Sequence, residues 1–120
     1  MGAMYDLTEL RKMSGNDEEF VQEMLVTFLS NNQEYLVLLN DACENKDWKT
    51  LKFNAHKIKP SVLLFKIDSV KQEILDLNEF SGKEINLEKI PLLVFTLKSR
   101  LYEVFGEINL ELKKIKKKHL

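Results

Sequence analysis

The sequence predicts an all-α protein: an antiparallel up-and-down four-helix bundle with a short additional N-terminal helix. Helix breakers are scarce, with two prolines and four glycines in 120 residues. Apolar residues recur at steps of three and four, which is the spacing of one helix face, rather than in the alternation of a strand. The links between the periodic segments are short, which favours antiparallel neighbours that bury their apolar stripes together.

The first two predicted helices are separated by a stop signal and a start signal. A short helix is expected over residues 7–13, and the serine–glycine pair that follows ends it. Asn16 is predicted to cap the next helix, because Glu19 three residues later completes a reciprocal capping arrangement. This second helix is expected over about residues 17–43. Its apolar stripe comprises Val21, Leu25, Phe28, Tyr35, Leu39 and Ala42.

Three further helices follow. Asp47 is predicted to cap the third helix. The fourth is expected to begin near Asp68 and to stop at Ser81-Gly82, and the fifth accommodates Pro91 in its first turn, where a missing N–H costs little. The stripes are Trp48, Leu51, Ala55, Ile58 and Val62 in the third helix; Val70, Ile74 and Leu77 in the fourth; and Ile90, Val94, Leu97, Leu101, Val104, Ile108, Leu112 and Ile115 in the fifth.

Composition limits the classes of function. Hydrophobic residues make up 44% and charged residues 31% of the chain, which is typical of a globular protein. The net charge of −1 gives no average field that would attract nucleic acid or an anionic membrane. No apolar run could span a bilayer, and no secretion signal is visible. The single cysteine, Cys43, favours a reducing compartment. We therefore expect a cytoplasmic protein with one domain over residues 5–120, preceded at residues 1–4 by a cloning remnant.

His56 is predicted to lie on the exposed side of the third helix. At about 100° per residue, it projects roughly 130° from the centre of the apolar stripe. Lys52 and Lys59 lie within about one turn of it on the same side, and Lys49 lies two turns earlier. Apolar residues share this side: Phe53, Pro60, Leu63 and Leu64. A bundle helix that exposes apolar residues, lysines and a histidine together is typical of a contact surface.

Pro60 lies inside this helix, where it cannot donate to the carbonyl of His56 and its ring crowds that carbonyl. A bend or local rearrangement is expected, at a cost of about 3 kcal/mol. Periodicity and charge alone leave the role of His56 open, since a lone surface histidine usually has no special role. Phe53 and Leu64 could equally pack under the first helix, and the lysines could form an ordinary solvated face.

The segment Ala55-His56-Lys57-Ile58-Lys59-Pro60-Ser61 resembles the signature of the histidine-containing phosphotransfer (HPt) family. In that signature an Ala-His pair is followed by an aliphatic residue at the second position after the histidine and a lysine at the third. Glycine usually comes fourth, and serine or alanine fifth. The likeness covers residues 5–80, and the last helix resembles the family by architecture only. Pro60 and Lys66 stand where the family usually has glycines.

The resemblance implies that His56 accepts a phosphoryl group from an aspartyl phosphate on a receiver domain and passes it to another receiver. A neutral imidazole is available as a nucleophile near neutral pH. Lys59, with Lys52 as a further candidate, would offset charge on the phosphoryl oxygens. Ser61 is expected to pack or hydrogen-bond locally. The surface that would bind the partner comprises Lys49, Lys52, Phe53, Pro60, Leu63 and Leu64.

The implied partners are response-regulator receiver domains, with a hybrid sensor histidine kinase as a further candidate, and the carrier itself is expected to be a monomer. No cofactor is expected on this chain. The Mg²⁺ that such transfers need is expected from the receiver, because no carboxylate cluster accompanies His56. No glycine-rich phosphate loop or ATP-site motif is present. The sequence therefore indicates a phosphoryl carrier rather than a kinase.

Two other functions stay open at this point. The surface from Phe53 to Leu64 could bind a partner without phosphoryl chemistry. The basic end of the last helix could contact nucleic acid or anionic lipid; it comprises Lys113, Lys114, Lys116, Lys117 and Lys118. Against the second function, cations are favoured at any helix C-terminus, and aromatic residues that could stack on bases are missing from this end. A metal site is not expected, because His56, His119 and Cys43 lack ligand spacing.

Overall fold

The computed structural model describes residues 4–118, with side chains through residue 115. These residues form helices and turns and contain no β-strand, so the predicted all-α class is confirmed. The helices are α1 (Thr8–Met13), α2 (Glu18–Glu44), α3 (Trp48–Leu64), α4 (Lys71–Lys83) and α5 (Ile90–Lys118), with short 3₁₀ turns at Asp68–Val70 and Leu87–Lys89.

Helices α2 to α5 form an antiparallel bundle about 49 Å long. Each of these helices packs against two others: α2 contacts α3 and α5, and α4 also contacts α3 and α5. Helix α1 lies against α2. Among the described residues, no helix is both long enough and apolar enough to cross a membrane.

The predicted apolar stripes form the core. Leu25, Leu51, Ile58, Ile74 and Leu97 are among the side chains with no exposed surface. Three residues of the predicted stripes are only half-buried: Tyr35, Trp48 and Ile115. Burial of this apolar surface is the main stabilising contribution that the folded chain gains.

The start of α2 differs from the prediction by one residue. Asp17, not Asn16, caps the helix, and its carboxylate accepts hydrogen bonds from the backbone N–H groups of Glu19 and Phe20. Asn16 instead has a left-handed backbone with φ of 66°, a conformation that asparagine tolerates better than most residues. The cap predicted for α3 is confirmed, since Asp47 accepts from the N–H of Thr50.

Three helix ends place a residue other than glycine in the left-handed region, at Lys46, Lys66 and Glu84. At the end of α3, the N–H of Ile67 donates to the carbonyl of Val62 at 3.0 Å, and the N–H of Lys66 donates to that of Leu63 at 3.3 Å. This pair of bonds is the Schellman motif, which satisfies the last carbonyls of the helix.

The predicted stop of α4 at Ser81-Gly82 was wrong by two residues. Ser81 is buried, and its hydroxyl donates to the carbonyl of Leu77 at 2.6 Å, so the serine is accommodated inside the helix. The helix ends after Lys83, where Glu84 adopts a φ of 52°. Helix α3, in turn, continues as an α-helix through Pro60 to Leu64.

The segment before α1 is attached to the end of the bundle where α3 ends. The N–H of Asp6 donates to the carbonyl of Phe65 at 2.7 Å. The hydroxyl of Tyr5 donates to the Glu111 carboxylate on α5, and Arg11 pairs with the same carboxylate at 3.8 Å. Burial of Tyr5 and the neighbouring Glu111 charge raise the pKa of the phenol. This N-terminal segment therefore closes the end of the bundle towards which α3 points.

Candidate functional site

Helix α3 presents His56 to solvent. Its inner face is fixed in the core by Leu51, Ala55 and Ile58, none of which has exposed surface, while His56 is exposed. From α4, the Asn78 side-chain amide donates to the carbonyl of Ala55 at 3.2 Å. The imidazole therefore projects from a backbone that is held on its other side by packing and by this hydrogen bond.

Cations lie on both sides of His56 along the helix. Lys49 and Lys52 are exposed on its N-terminal side, and Lys59, half-buried, lies on its C-terminal side. His56, Lys49 and Lys52 line one pocket of about 790 Å³ together with Thr50 and Phe53. The pocket thus brings the imidazole together with two of the predicted lysines and with the aromatic ring of Phe53, whereas Lys59 is not among the residues that line it.

The apolar residues of this face are unequally exposed. Phe53 is 59% exposed and Leu63 43% exposed, and Pro60 is exposed as well. Phe53 therefore does not pack under α1, which was the alternative left open by the sequence. Leu64 is half-buried and packs against the core, so its contribution to an outer surface is smaller than that of the other three.

Lys57, which the sequence did not single out, lies against two aromatic rings. Its ammonium lies 4.3 Å from the centre of the Phe53 ring and 5.2 Å from the centre of the Tyr35 ring on α2. Both distances allow a cation–π attraction. The spacing of four residues between Phe53 and Lys57 was the available signal, since such residues are neighbours on a helix surface. Through Lys57, the exposed surface of α3 is continuous with α2.

Gly82 on α4 was also not recognised as part of this region. A Cβ atom built on Gly82 would lie 3.4 Å from Cε, 3.6 Å from Cδ and 3.7 Å from Nζ of Lys52. The Lys52 side chain therefore lies across the glycine, and the absence of a side chain at Gly82 gives it this space. Among the described residues, no carboxylate lies within 4 Å of the Lys52 ammonium.

Ser61 makes a local contact on the side of α3 that packs against α2. Its hydroxyl oxygen accepts from the buried Asn32 amide at 3.4 Å, and the same amide donates to the carbonyl of Phe28 at 3.0 Å. The Asn32 oxygen has no hydrogen-bond partner. This polar contact therefore belongs to the interface between α2 and α3 rather than to the outer surface around His56.

Other chemistry-bearing residues lie away from this region or outside the described residues. Cys43 is half-buried on α2, and desolvation raises the pKa of its thiol. Residues 4–118 contain no group of three or more His, Cys, Asp or Glu side chains that could hold a metal ion. His119 lies outside the described residues, as do residues 1–3 of the predicted remnant and the side chains of Lys116, Lys117 and Lys118.

Comparison with known proteins supports the fold. No protein-family model matches this chain, and no curated protein does so either. Among solved structures, the chain is similar to histidine-containing phosphotransfer protein B from Pseudomonas aeruginosa PAO1, with a TM-score of 0.82 and 19% sequence identity over 95% of this chain and 98% of that chain. The chain therefore has the fold of an HPt protein, the family whose signature the segment around His56 resembles.

Proposed function

We propose that this protein is a phosphoryl carrier in which His56 accepts a phosphoryl group from one receiver domain and donates it to another. The observation that carries the proposal is the exposed imidazole of His56, which lies on a helix of a bundle with the HPt fold and is flanked by lysines. The motif around His56 covers seven residues, and the structural likeness covers 95% of the chain.

The chemistry requires a nucleophile and cations, and the chain offers both. The lone pair of the unprotonated ring nitrogen attacks phosphorus and forms an N–P bond. The P–O bond to the partner's aspartate breaks, and the aspartate leaves with the bonding electrons as a carboxylate. The second ring nitrogen keeps its proton. The transition state is loose, so positioning and charge stabilisation supply most of the catalysis, and the Lys59 ammonium would offset charge on the phosphoryl oxygens.

The exposed surface of α3 would dock the receiver. Phe53, Pro60 and Leu63 provide apolar area, which can form the buried centre of an interface. Lys49 and Lys52 would face the acidic pocket of the receiver and speed the encounter by electrostatic attraction. We expect the Mg²⁺ ion to come from the receiver, and we expect the carrier to act as a cytoplasmic monomer.

The direct test is transfer of label from phosphorylated receivers. We expect an acid-labile, base-stable label on the protein and none on His56→Gln, which removes the nucleophile from an exposed position. Lys59→Gln should accept label about tenfold more slowly, which corresponds to about 1.4 kcal/mol of transition-state stabilisation. Deletion of residues 113–120 should leave transfer intact, because Glu111, which precedes this basic end, contacts Tyr5 and Arg11 rather than the surface around His56.

The alternative is an interaction module in which the surface around Phe53 binds a partner without phosphoryl chemistry. The exposed Phe53 ring beneath Lys57 favours a contact surface of this kind. Equal label on the wild type and on His56→Gln, or no label from any of the host's receivers, would support this alternative and contradict the carrier function.

A further inference from the structure

We infer that Lys52, held across Gly82, contacts the transferred phosphoryl group, so that two lysines from opposite sides of His56 share its charge. This inference rests on the proposed function and makes it more specific. It assigns Lys52 to the phosphoryl group itself rather than only to the docking surface, and it makes Gly82, on another helix, a positioning residue.

The position of Lys52 relative to the imidazole supports the assignment. Lys52 precedes His56 by one helical turn, a separation at which two side chains on a helix surface are neighbours. Both residues line the same pocket. Lys59 follows His56 by three residues and does not line this pocket. A phosphoryl group has three non-bridging oxygens, so ammonium groups on either side of the imidazole could bind different oxygens by charge-assisted hydrogen bonds.

The surroundings of Lys52 explain why its side chain lies where it does. Its Cδ, Cε and Nζ atoms are all within 3.7 Å of the place that a Cβ on Gly82 would occupy. Gly82 lies in the last turn of α4, where the partial negative charge of the helix C-terminus attracts a cation. Because no described carboxylate pairs with this ammonium, it is free to bind an incoming anion.

The presence of glycine at position 82 fits this role. Gly82 has no left-handed φ that would require glycine, so the contact with Lys52 calls only for a small residue. The space above its Cα is occupied by Lys52 alone among the nearest atoms. A methyl group would make ordinary contact with the lysine, whereas a larger side chain would displace the lysine from the pocket.

A small phosphoryl donor distinguishes a contact of Lys52 with the phosphoryl group from a role of Lys52 in docking a receiver. Phosphoramidate has no protein surface: its P–N bond breaks as the His56 N–P bond forms, and its protonated nitrogen leaves as ammonia. We expect Lys52→Gln to slow phosphorylation by phosphoramidate about twofold to fivefold, the effect of losing one exposed charge-assisted interaction. Lys71→Gln, which removes the same charge from an exposed position at the start of α4, should leave the rate unchanged.

Gly82 variants test the positioning role through a double-mutant cycle. Gly82→Leu should slow the phosphoramidate reaction by nearly as much as Lys52→Gln, the double variant should be no slower than either, and Gly82→Ala should retain the wild-type rate. Helical circular dichroism checks folding, and Gly82→Gln serves in place of the leucine variant if the latter misfolds. Additive losses in the double variant would overturn the role of Gly82.

Three outcomes distinguish this inference from the proposed function. Slowing of Lys52→Gln with both phosphoramidate and receivers supports the inference. Slowing with receivers only shows that Lys52 is a docking residue, and it overturns the inference while the carrier function stands. If the wild type takes no label at His56 from phosphoramidate or from any receiver, the proposed function itself fails.

Discussion

Substitution of Lys66 by glycine should stabilise the protein. Lys66 has a φ of 48°, and a left-handed conformation costs an L-residue about 1–2 kcal/mol. Glycine removes that cost but makes the unfolded chain more flexible, which offsets about 0.4–1 kcal/mol. The net gain is therefore about 0.5–1 kcal/mol, or a rise in Tm of about 2–5 °C for a domain of this size. The glycine that HPt proteins usually have at this position thus has a backbone explanation.

Thermal and urea unfolding of two variants test this explanation. Lys66→Ala removes the same charge as Lys66→Gly but keeps a Cβ atom, so it should be no more stable than the wild type. The Schellman bonds of Ile67 and of residue 66 to the end of α3 should persist in both variants, since they use backbone groups only. If the two variants shift Tm equally, the gain comes from charge, and the argument from backbone conformation is refuted.

Three further predictions concern packing, receiver binding and pH. Ile58→Ala should lower the free energy of unfolding by about 2–5 kcal/mol in urea denaturation, because Ile58 has no exposed surface and the change leaves a cavity. The Phe53 side chain is 59% exposed, so Phe53→Ala should weaken receiver binding with little loss of stability. Hydrogen bonds from the Thr50 hydroxyl and backbone N–H lower the pKa of Asp47 below its ordinary value of 3.8, so this residue stabilises the fold above about pH 4 and the contribution is lost as pH falls through the lower, folded-state pKa. Tm measured from pH 6 to pH 2 should fall less for Asp47→Asn, which keeps a capping oxygen without titrating; an unchanged pH dependence would contradict this assignment.

The helices and their buried faces could be predicted because both depend on local spacing. The apolar residues of α3 repeat every three or four positions, so the pattern alone placed Ile58 inside and His56 outside. The ends of the helices were harder to predict. Asn16 and Asp17 are adjacent and both are good capping residues, and the choice between them depends on the left-handed backbone that ends the preceding turn. The last residue of α4 depends on Glu84, a residue type that gives no termination signal.

The parts of the site that join different helices could not be predicted from one sequence. The contact of Lys52 with Gly82 spans thirty positions, and that of Tyr5 with Glu111 spans 106. Such contacts depend on how the helices pack, which apolar periodicity does not specify. Lys57 over Phe53 is different, because both lie on α3 at a spacing that places them together. That pair was predictable from the sequence, because a cation and an aromatic residue four positions apart are neighbours on a helix.

The rigid support of the imidazole has a consequence for how a carrier of this kind would work. Leu51, Ala55 and Ile58 have no exposed surface and pack this turn into the core, so little ordering entropy would be lost if a receiver bound. A preformed surface of this kind lowers the cost of each encounter. The direction in which phosphate flows would then be set by the relative free energies of the two aspartyl phosphates, and the carrier would equilibrate them.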